Sequence, residues 1–168
     1  MKRPVFSGHE SFHCKTHWLK RGYDFVMDGN NFNDEDAVVK LGVGKNMVSS
    51  IRYWMKAFAL LNNDGQLTPL AHYLLDNDLG RDPFFEDINT LWLMHFSIVN
   101  TDYASIYHSM FSDFHRQTNN FDKQKLYHHI KRQCFEAGYQ NLFNENTVKK
   151  DINVLVQNYS EPRNSNTE

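Results

Sequence analysis

One stretch of the chain, residues 33–75, constrains the fold more than any other, because it combines two helical patterns, a tight turn and a hairpin signal. A short segment over 34–41 is followed by Gly-Val-Gly at 42–44, where glycine permits a tight turn between two helices. A longer segment over 45–60 then repeats its apolar side chains at the spacing of one helix face. That face consists of Met47, Ile51, Trp54, Met55 and Phe58. The pattern predicts a helix-turn-helix.

The residues after the second of these helices predict a wing. Asn-Asp-Gly at 63–65 lies between apolar residues on both sides, which is a hairpin signal. Thr68 and Pro69 then suit the N-cap and the first position of a helix that runs to Leu75. The expected fold class is mainly α: a winged helix-turn-helix with a small β-hairpin wing, followed by a helical unit.

The chain beyond residue 83 is rich in large apolar side chains at helical spacing. Helices are expected over 84–99, 102–114, 122–137 and 146–159. In the first two, the apolar residues spread around much of the helix, which predicts burial on several sides. The last two helices are candidates for a second helix-turn-helix.

The polar run 78–83, which contains Gly and Pro, is the best candidate for a boundary between structural units. We therefore expect an N-terminal motif segment packed on the core over 1–30, a winged-helix domain over 31–82, a helical domain over 83–160 and a disordered tail over 161–168.

The face of the 45–60 helix opposite its apolar stripe carries cations, hydroxyl groups and one aromatic ring, but no acid. Lys and Arg side chains contact phosphates or guanine edges, and Ser is short enough to let the backbone approach a groove. Asparagine at a helix start can reach an adenine edge or a phosphate. The expected DNA-contacting residues are Lys45, Asn46, Ser49, Arg52, Tyr53 and Lys56, with Asn63 and Gln66 near the wing tip and Lys149, Lys150 and Asn153 as a weaker second surface.

Composition leaves a second function open. The net charge of −2 excludes the strongly basic surface that many nucleic-acid-binding domains carry, so any affinity for DNA must come from a local stripe. The alternative is an ordinary solvated helix face in a winged helix that contacts other proteins. The near-neutral charge and the 14% aromatic content favour that interaction scaffold. A homodimer is compatible with either function.

The cellular setting is predicted from what the sequence contains near its start and at its two cysteines. Cys14 and Cys134 have no C-x-x-C spacing and cannot make a disulfide framework. The N-terminus shows no apolar signal region, and the longest apolar run, 91–99, is too short to span a bilayer. We expect a cytoplasmic protein without a membrane partner.

A histidine pattern at the N-terminal end invites a third hypothesis, a metalloenzyme. His9, Glu10 and His13 match H-E-x-x-H, and His17 follows four residues later, which on a helix would place three imidazoles on one face. Pro4 and Gly8 disfavour a helix here, so the preferred interpretation is that His9 and Glu10 make structural hydrogen bonds in a turn. Signatures of hydrolases and nucleotide-binding enzymes are missing, and we expect a non-enzyme without metal or cofactor.

Several motifs resemble those of an uncharacterised bacterial domain family. They are Phe-Ser-Gly-His-Glu-Ser-Phe at 6–12, Trp-Leu-Lys-Arg-Gly-Tyr at 18–23, the central run Asp-Ala-Val-Val-Lys-Leu-Gly-Val-Gly-Lys-Asn-Met-Val at 36–48 with Ser-Ile-Arg-Tyr-Trp at 50–54, and two later motifs at 90–93 and 146–152. The resemblance covers most of the chain. Family members usually have other residues at His13, Cys14 and His17.

The resemblance implies a biological setting rather than a reaction. Members of the family sit in bacterial DNA-modification and anti-phage defence operons, notably beside sulfur-handling genes for DNA phosphorothioation. It therefore implies a DNA-associated role, double-stranded DNA as one partner and other proteins of the same operon as further partners. Members are commonly longer at the C-terminus, so the chain is expected to be either a short version or a fragment.

Overall fold

The computed structural model describes residues 3–101, 103–118 and 120–160, over which the fold is mainly helical. Its α-helices are α1 (Thr16–Met27), α2 (Ala37–Leu41), α3 (Lys45–Ala57), α4 (Pro69–Leu75), α5 (Ile88–Asn100), α6 (Ser105–His108), α7 (Lys123–Glu136) and α8 (Glu145–Tyr159). A π-helical turn, Ser109–Phe114, continues α6, and a 3-10 turn, Gln140–Leu142, precedes α8. The tail predicted to be disordered, 161–168, lies outside the described residues.

Helix α3 lies at the centre of the core and packs against α1 and α2. Three residues of its predicted apolar face, Ile51, Trp54 and Met55, are fully enclosed. Gly22 of α1 allows the close approach, because a Cβ at this position would lie 3.1 Å from atoms of Ile51 and Met55. The predicted helix start at Lys45 is confirmed, but α3 ends three residues before the predicted residue 60.

The predicted β-hairpin wing is not confirmed. Over the described residues no strand forms, and the turn after α3 is closed by one isolated antiparallel bridge between Leu61 and Leu67. Asn62 organises this turn, since its backbone N–H donates to the Gln66 carbonyl at 2.9 Å and its side chain accepts from the Gln66 N–H at 2.8 Å. The turn is thus a compact loop against α3.

Helix α4 begins where the sequence predicts. The Thr68 hydroxyl oxygen accepts a hydrogen bond from the Ala71 N–H at 3.2 Å, and Pro69 occupies the first helical position. This is the N-cap arrangement that satisfies a free donor at a helix start. The predicted end at Leu75 is also confirmed.

Helix α5 differs from its prediction in two ways. It begins at Ile88 rather than at residue 84, because the Asp82 carboxylate accepts from the backbone N–H groups of Glu86 and Asp87 and holds the preceding residues in a turn. The prediction of burial on several sides is wrong for this helix, since its outer face exposes large apolar side chains. Their exposed fractions are 61% for Ile88, 65% for Trp92 and 65% for Phe96.

Residues on both sides of the predicted boundary at 78–83 contribute to one hydrophobic core. The Thr101 hydroxyl, for example, donates to the carbonyl of Ala57 at the end of α3 at 2.7 Å. The four-part division of the chain and the second helix-turn-helix, which would comprise α7 and α8, stay predictions. Within the described residues, no helix combines the length and the apolar character that crossing a membrane requires.

Candidate nucleic-acid interface

The N-terminal segment folds as a series of tight turns rather than as a helix. Ser7, Gly8, Glu10 and Ser11 all have positive φ, and α1 begins only at Thr16. The histidine pattern therefore lacks the helix that would place its imidazoles on one face. The segment instead packs across the flank of α3.

His9 anchors this segment to α8. Its ring is buried and makes a hydrogen bond from Nε2 to Asp151 Oδ1 at 2.9 Å. Asp151 Oδ2 accepts from the Ser7 N–H at 2.9 Å, and the Ser11 N–H donates to His9 Nδ1 at 3.1 Å. The imidazole also stacks on Trp54, with ring centroids 6.0 Å apart. The prediction of structural hydrogen bonds in a turn is confirmed for His9, whereas for Glu10, which is exposed, it stays a prediction.

Tyr53, which the sequence pattern places among the DNA-contacting residues, is largely covered by another segment. Tyr53 is only 5% exposed, because the turn around Gly8 and His9 covers its ring. A Cβ on Gly8 would lie 2.7 Å from the Tyr53 ring, so the glycine backbone rests directly against it. Burial, followed by the nearby Asp151 charge, raises the pKa of Tyr53. The tyrosine belongs to the core beneath the surface of α3.

Other predicted residues of α3 meet in a cleft of about 720 Å³. We call it the α3 cleft; it is formed by the segment 32–38, one face of α3, Gly8 and Tyr103. Lys45, Ser49 and Arg52 line it, together with the largely buried Tyr53. Asn46 is exposed on the same helix but is not part of the lining.

Two cations of α3 also hold the neighbouring loops. Arg52 donates from Nη1 to Asn33 Oδ1 at 2.6 Å. Lys56 donates from Nζ to the Asn63 carbonyl at 3.1 Å and lies 5.9 Å from the ring centroid of Tyr103. Partial burial, together with the positive charge of Arg52, lowers the pKa of Lys56. Lys56 is not part of the cleft lining, so Lys45 and Arg52 are the cations that the cleft offers to a ligand.

The remaining predicted residues lie outside the α3 cleft. Asn63 and Gln66 are exposed in the turn after α3. On α8, Lys149 pairs with Glu145, which raises the lysine pKa, and Asn153 Oδ1 accepts from Lys123 of α7 at 2.8 Å. Lys150 is exposed on the same helix. Among the described residues, the lining of the cleft includes none from α8, so the structure does not join this second surface to the first.

Sequence reasoning missed Tyr103, whose half-buried ring lies against Tyr53 with centroids 5.3 Å apart. It also missed Asp34 and Glu35 as lining residues. No spacing in the sequence connects residue 103 with α3. The contact arises only because the chain folds back after α5.

Comparisons with known proteins agree with the helical architecture. The family model described as "Protein of unknown function (DUF4007)" matches residues 6–168. Two crystal structures are similar: "Magnesium ion-bound SspB crystal structure", at 29% identity and a TM-score of 0.73, and "SspB crystal structure", at 28% and 0.74. Each match covers 91% of this chain, but only 48% and 49% of the respective SspB chains, so the chain spans about half their length. No curated protein matches the chain.

Proposed function

Since the chain belongs to the DUF4007 family and is similar in structure to SspB, we propose that it is a DNA-binding component of a bacterial DNA phosphorothioation or related anti-phage system. The operon setting comes from the sequence motifs, and the structural similarity to SspB supports it. The single observation that carries DNA binding is the α3 cleft, where Lys45, Ser49 and Arg52 converge. The bacterial cytoplasm is the proposed location.

The chemistry of binding follows from the side chains that the cleft presents. Lys45 and Arg52 can neutralise phosphates, and each such contact releases counterions from the DNA. The Ser49 hydroxyl can donate to a phosphate oxygen. Because the whole chain carries a charge of only −2, this local pair of cations must supply the electrostatic attraction.

Magnesium, which is bound in one of the two SspB crystal structures, is not part of the proposed function. Asp34 and Glu35 bring carboxylates of the kind that Mg²⁺ prefers to the α3 cleft, but Lys45 and Arg52 in the same lining oppose a cation. Within the described part of the chain, no group of three His, Cys, Asp or Glu side chains could hold a metal ion.

Charge reversal tests the DNA proposal. The double variant Lys45→Glu/Arg52→Glu should bind a short duplex roughly 10- to 100-fold more weakly, since hydrogen bonds to charged groups contribute about 1.5–3 kcal/mol each and exposure reduces this. The matched control is Lys125→Glu/Lys131→Glu, two exposed lysines of α7 that change the net charge equally. Fluorescence anisotropy measures both affinities. Equal losses in the two variants would contradict a specific role for α3.

Protein contact is the second candidate function, and the exposed apolar face of α5 favours it. Contiguous exposed apolar surface commonly marks an interaction site. We propose a second copy of this chain as the occupant, because α5 contains no Asp, Glu, Lys or Arg and two copies can pair without bringing like charges together. Trp92 and Phe96 would lie at the centre of such a pair.

Light scattering after size exclusion tests this candidate. We expect a mass twice that of the 19.9 kDa chain, and a return to the single-chain mass in Trp92→Ser/Phe96→Ser. Both side chains are exposed, so the substitutions should leave the fold intact, which circular dichroism checks. A wild-type protein with the mass of one chain at high concentration would contradict the dimer.

A further inference from the structure

Helix α3 is poorly placed to enter the major groove as a recognition helix. Seven of its thirteen residues are buried, and it packs against both α1 and α2. A recognition helix reads base edges only when its exposed face projects into the groove beyond its neighbours. Here the segment 32–38 on one side and Tyr103 on another form the α3 cleft together with that face. A ligand that contacts Ser49 and Arg52 together with the facing segment 32–38 therefore lies in the cleft.

The α3 cleft has the size and the chemistry of a site for one nucleotide. Its volume of about 720 Å³ falls within the range of roughly 300–1,000 Å³ that is usual for small-ligand sites. The half-buried ring of Tyr103 provides an aromatic surface, and bases stack on such rings irrespective of sequence. Lys45 and Arg52 provide the cations that a phosphate requires.

The acidic residues of the cleft also suit a nucleotide as its ligand. Asp34 and Glu35 come from the segment 32–38, whereas the cations come from α3, so the two kinds of charge are contributed by different walls. Carboxylates repel a phosphate but accept hydrogen bonds from the exocyclic amine of a base. The walls thus favour a ligand with an anionic end and an amine-bearing end.

We propose that the α3 cleft receives one unpaired nucleotide of a DNA strand, with its phosphate at Lys45 and Arg52 and its base against Tyr103. This inference rests on the proposed DNA-binding function and names the form of DNA that the site takes. Fully paired DNA contacts the rim of the cleft, whereas an extruded or unpaired nucleotide enters it. An unpaired nucleotide avoids the cost of breaking a base pair.

Anisotropy with two DNA probes tests the inference: a fully paired duplex, and the same duplex with one additional, bulged nucleotide in one strand. The bulged duplex should bind about tenfold more tightly or better, in keeping with the worth of one base–aromatic stack. A 2-aminopurine at the bulge should lose fluorescence on binding as it stacks on Tyr103. Tyr103→Leu should abolish the preference, and Tyr103→Phe, which retains the ring, should keep it.

The outcomes separate this inference from the function on which it rests. Equal affinity for the two duplexes, with unchanged 2-aminopurine fluorescence and a normal loss in Lys45→Glu/Arg52→Glu, would overturn the nucleotide site and leave DNA binding intact. Failure to bind either duplex at low salt would overturn both. Thermal unfolding of both Tyr103 variants checks that they are folded.

Discussion

Replacing Asp151 by Ala should lower the free energy of unfolding by about 2–4 kcal/mol, because a buried donor left unpaired costs about 1–3 kcal/mol and a partly buried donor costs less. The carboxylate and the imidazole of His9 are only 4% and 5% exposed. Without Asp151, the buried Nε2–H of His9 and the partly buried N–H of Ser7 would be left unpaired. Urea denaturation followed by circular dichroism measures the change.

The conservative change Asp151→Asn distinguishes hydrogen bonding from packing. The Ser11 N–H donates to His9 Nδ1, so the ring proton lies on Nε2, and both oxygens of Asp151 act as acceptors. An amide offers one acceptor oxygen and one donor nitrogen, so it cannot accept hydrogen bonds from both the Ser7 N–H and the His9 Nε2–H. Asp151→Asn should therefore also be clearly destabilising, whereas Gln157→Ala, on the exposed side of α8, should change stability by only about 0.5 kcal/mol. A neutral Asp151→Asn would contradict the pairing.

Replacing Gly8 by Ala should destabilise the protein by about 2–5 kcal/mol, because two costs combine. The backbone has φ of +98°, where a side chain costs roughly 1–2 kcal/mol. The new Cβ would also lie 2.7 Å from the ring of Tyr53, which is held in the core and cannot move without strain of about 1–3 kcal/mol. The midpoint of urea denaturation should fall accordingly.

Gly29→Ala is the matched control for the Gly8 substitution. Gly29 also has a positive φ, +79°, but no atom lies within 4 Å of its added Cβ. It should carry the backbone cost alone, so the difference between the two variants isolates the contact with Tyr53. Equal destabilisation of the two variants would show that the N-terminal turn does not rest against the Tyr53 ring as described.

Much of the local structure was predictable because it depends on neighbouring residues. The start of α3, the Thr68 cap and the run to Leu75 each follow from a few adjacent side chains. The sequence did not predict that α3 ends early. The helix ends because Phe58 caps it and Ala59 adopts a positive φ, which residues with a side chain disfavour.

The candidate site was predictable only in part, because its remaining contacts join distant segments. The pattern placed Tyr53 opposite the apolar stripe of α3, but the turn around Gly8 buries it from a position 45 residues earlier. Tyr103 reaches the same cleft from 50 residues later. Periodicity along one helix reports which residues share a face, not which other segment covers that face.

For the apolar face of α5 the sequence pattern failed in the reverse way, because it predicted burial for side chains that are exposed. Large apolar residues around a helix predict burial, yet Trp92 and Phe96 are exposed. The sequence pattern cannot distinguish a face buried in the fold from a face that a second molecule covers.

The salt dependence of duplex binding tests DNA binding through α3 most directly. Neutralising one phosphate contributes about −0.9 to the slope of log affinity against log salt concentration, so Lys45 and Arg52 together predict a slope of about −2 or steeper. The slope should become shallower by about two in Lys45→Glu/Arg52→Glu and stay unchanged in Lys125→Glu/Lys131→Glu. A wild-type slope near zero, or no binding at low salt, would contradict the proposed function.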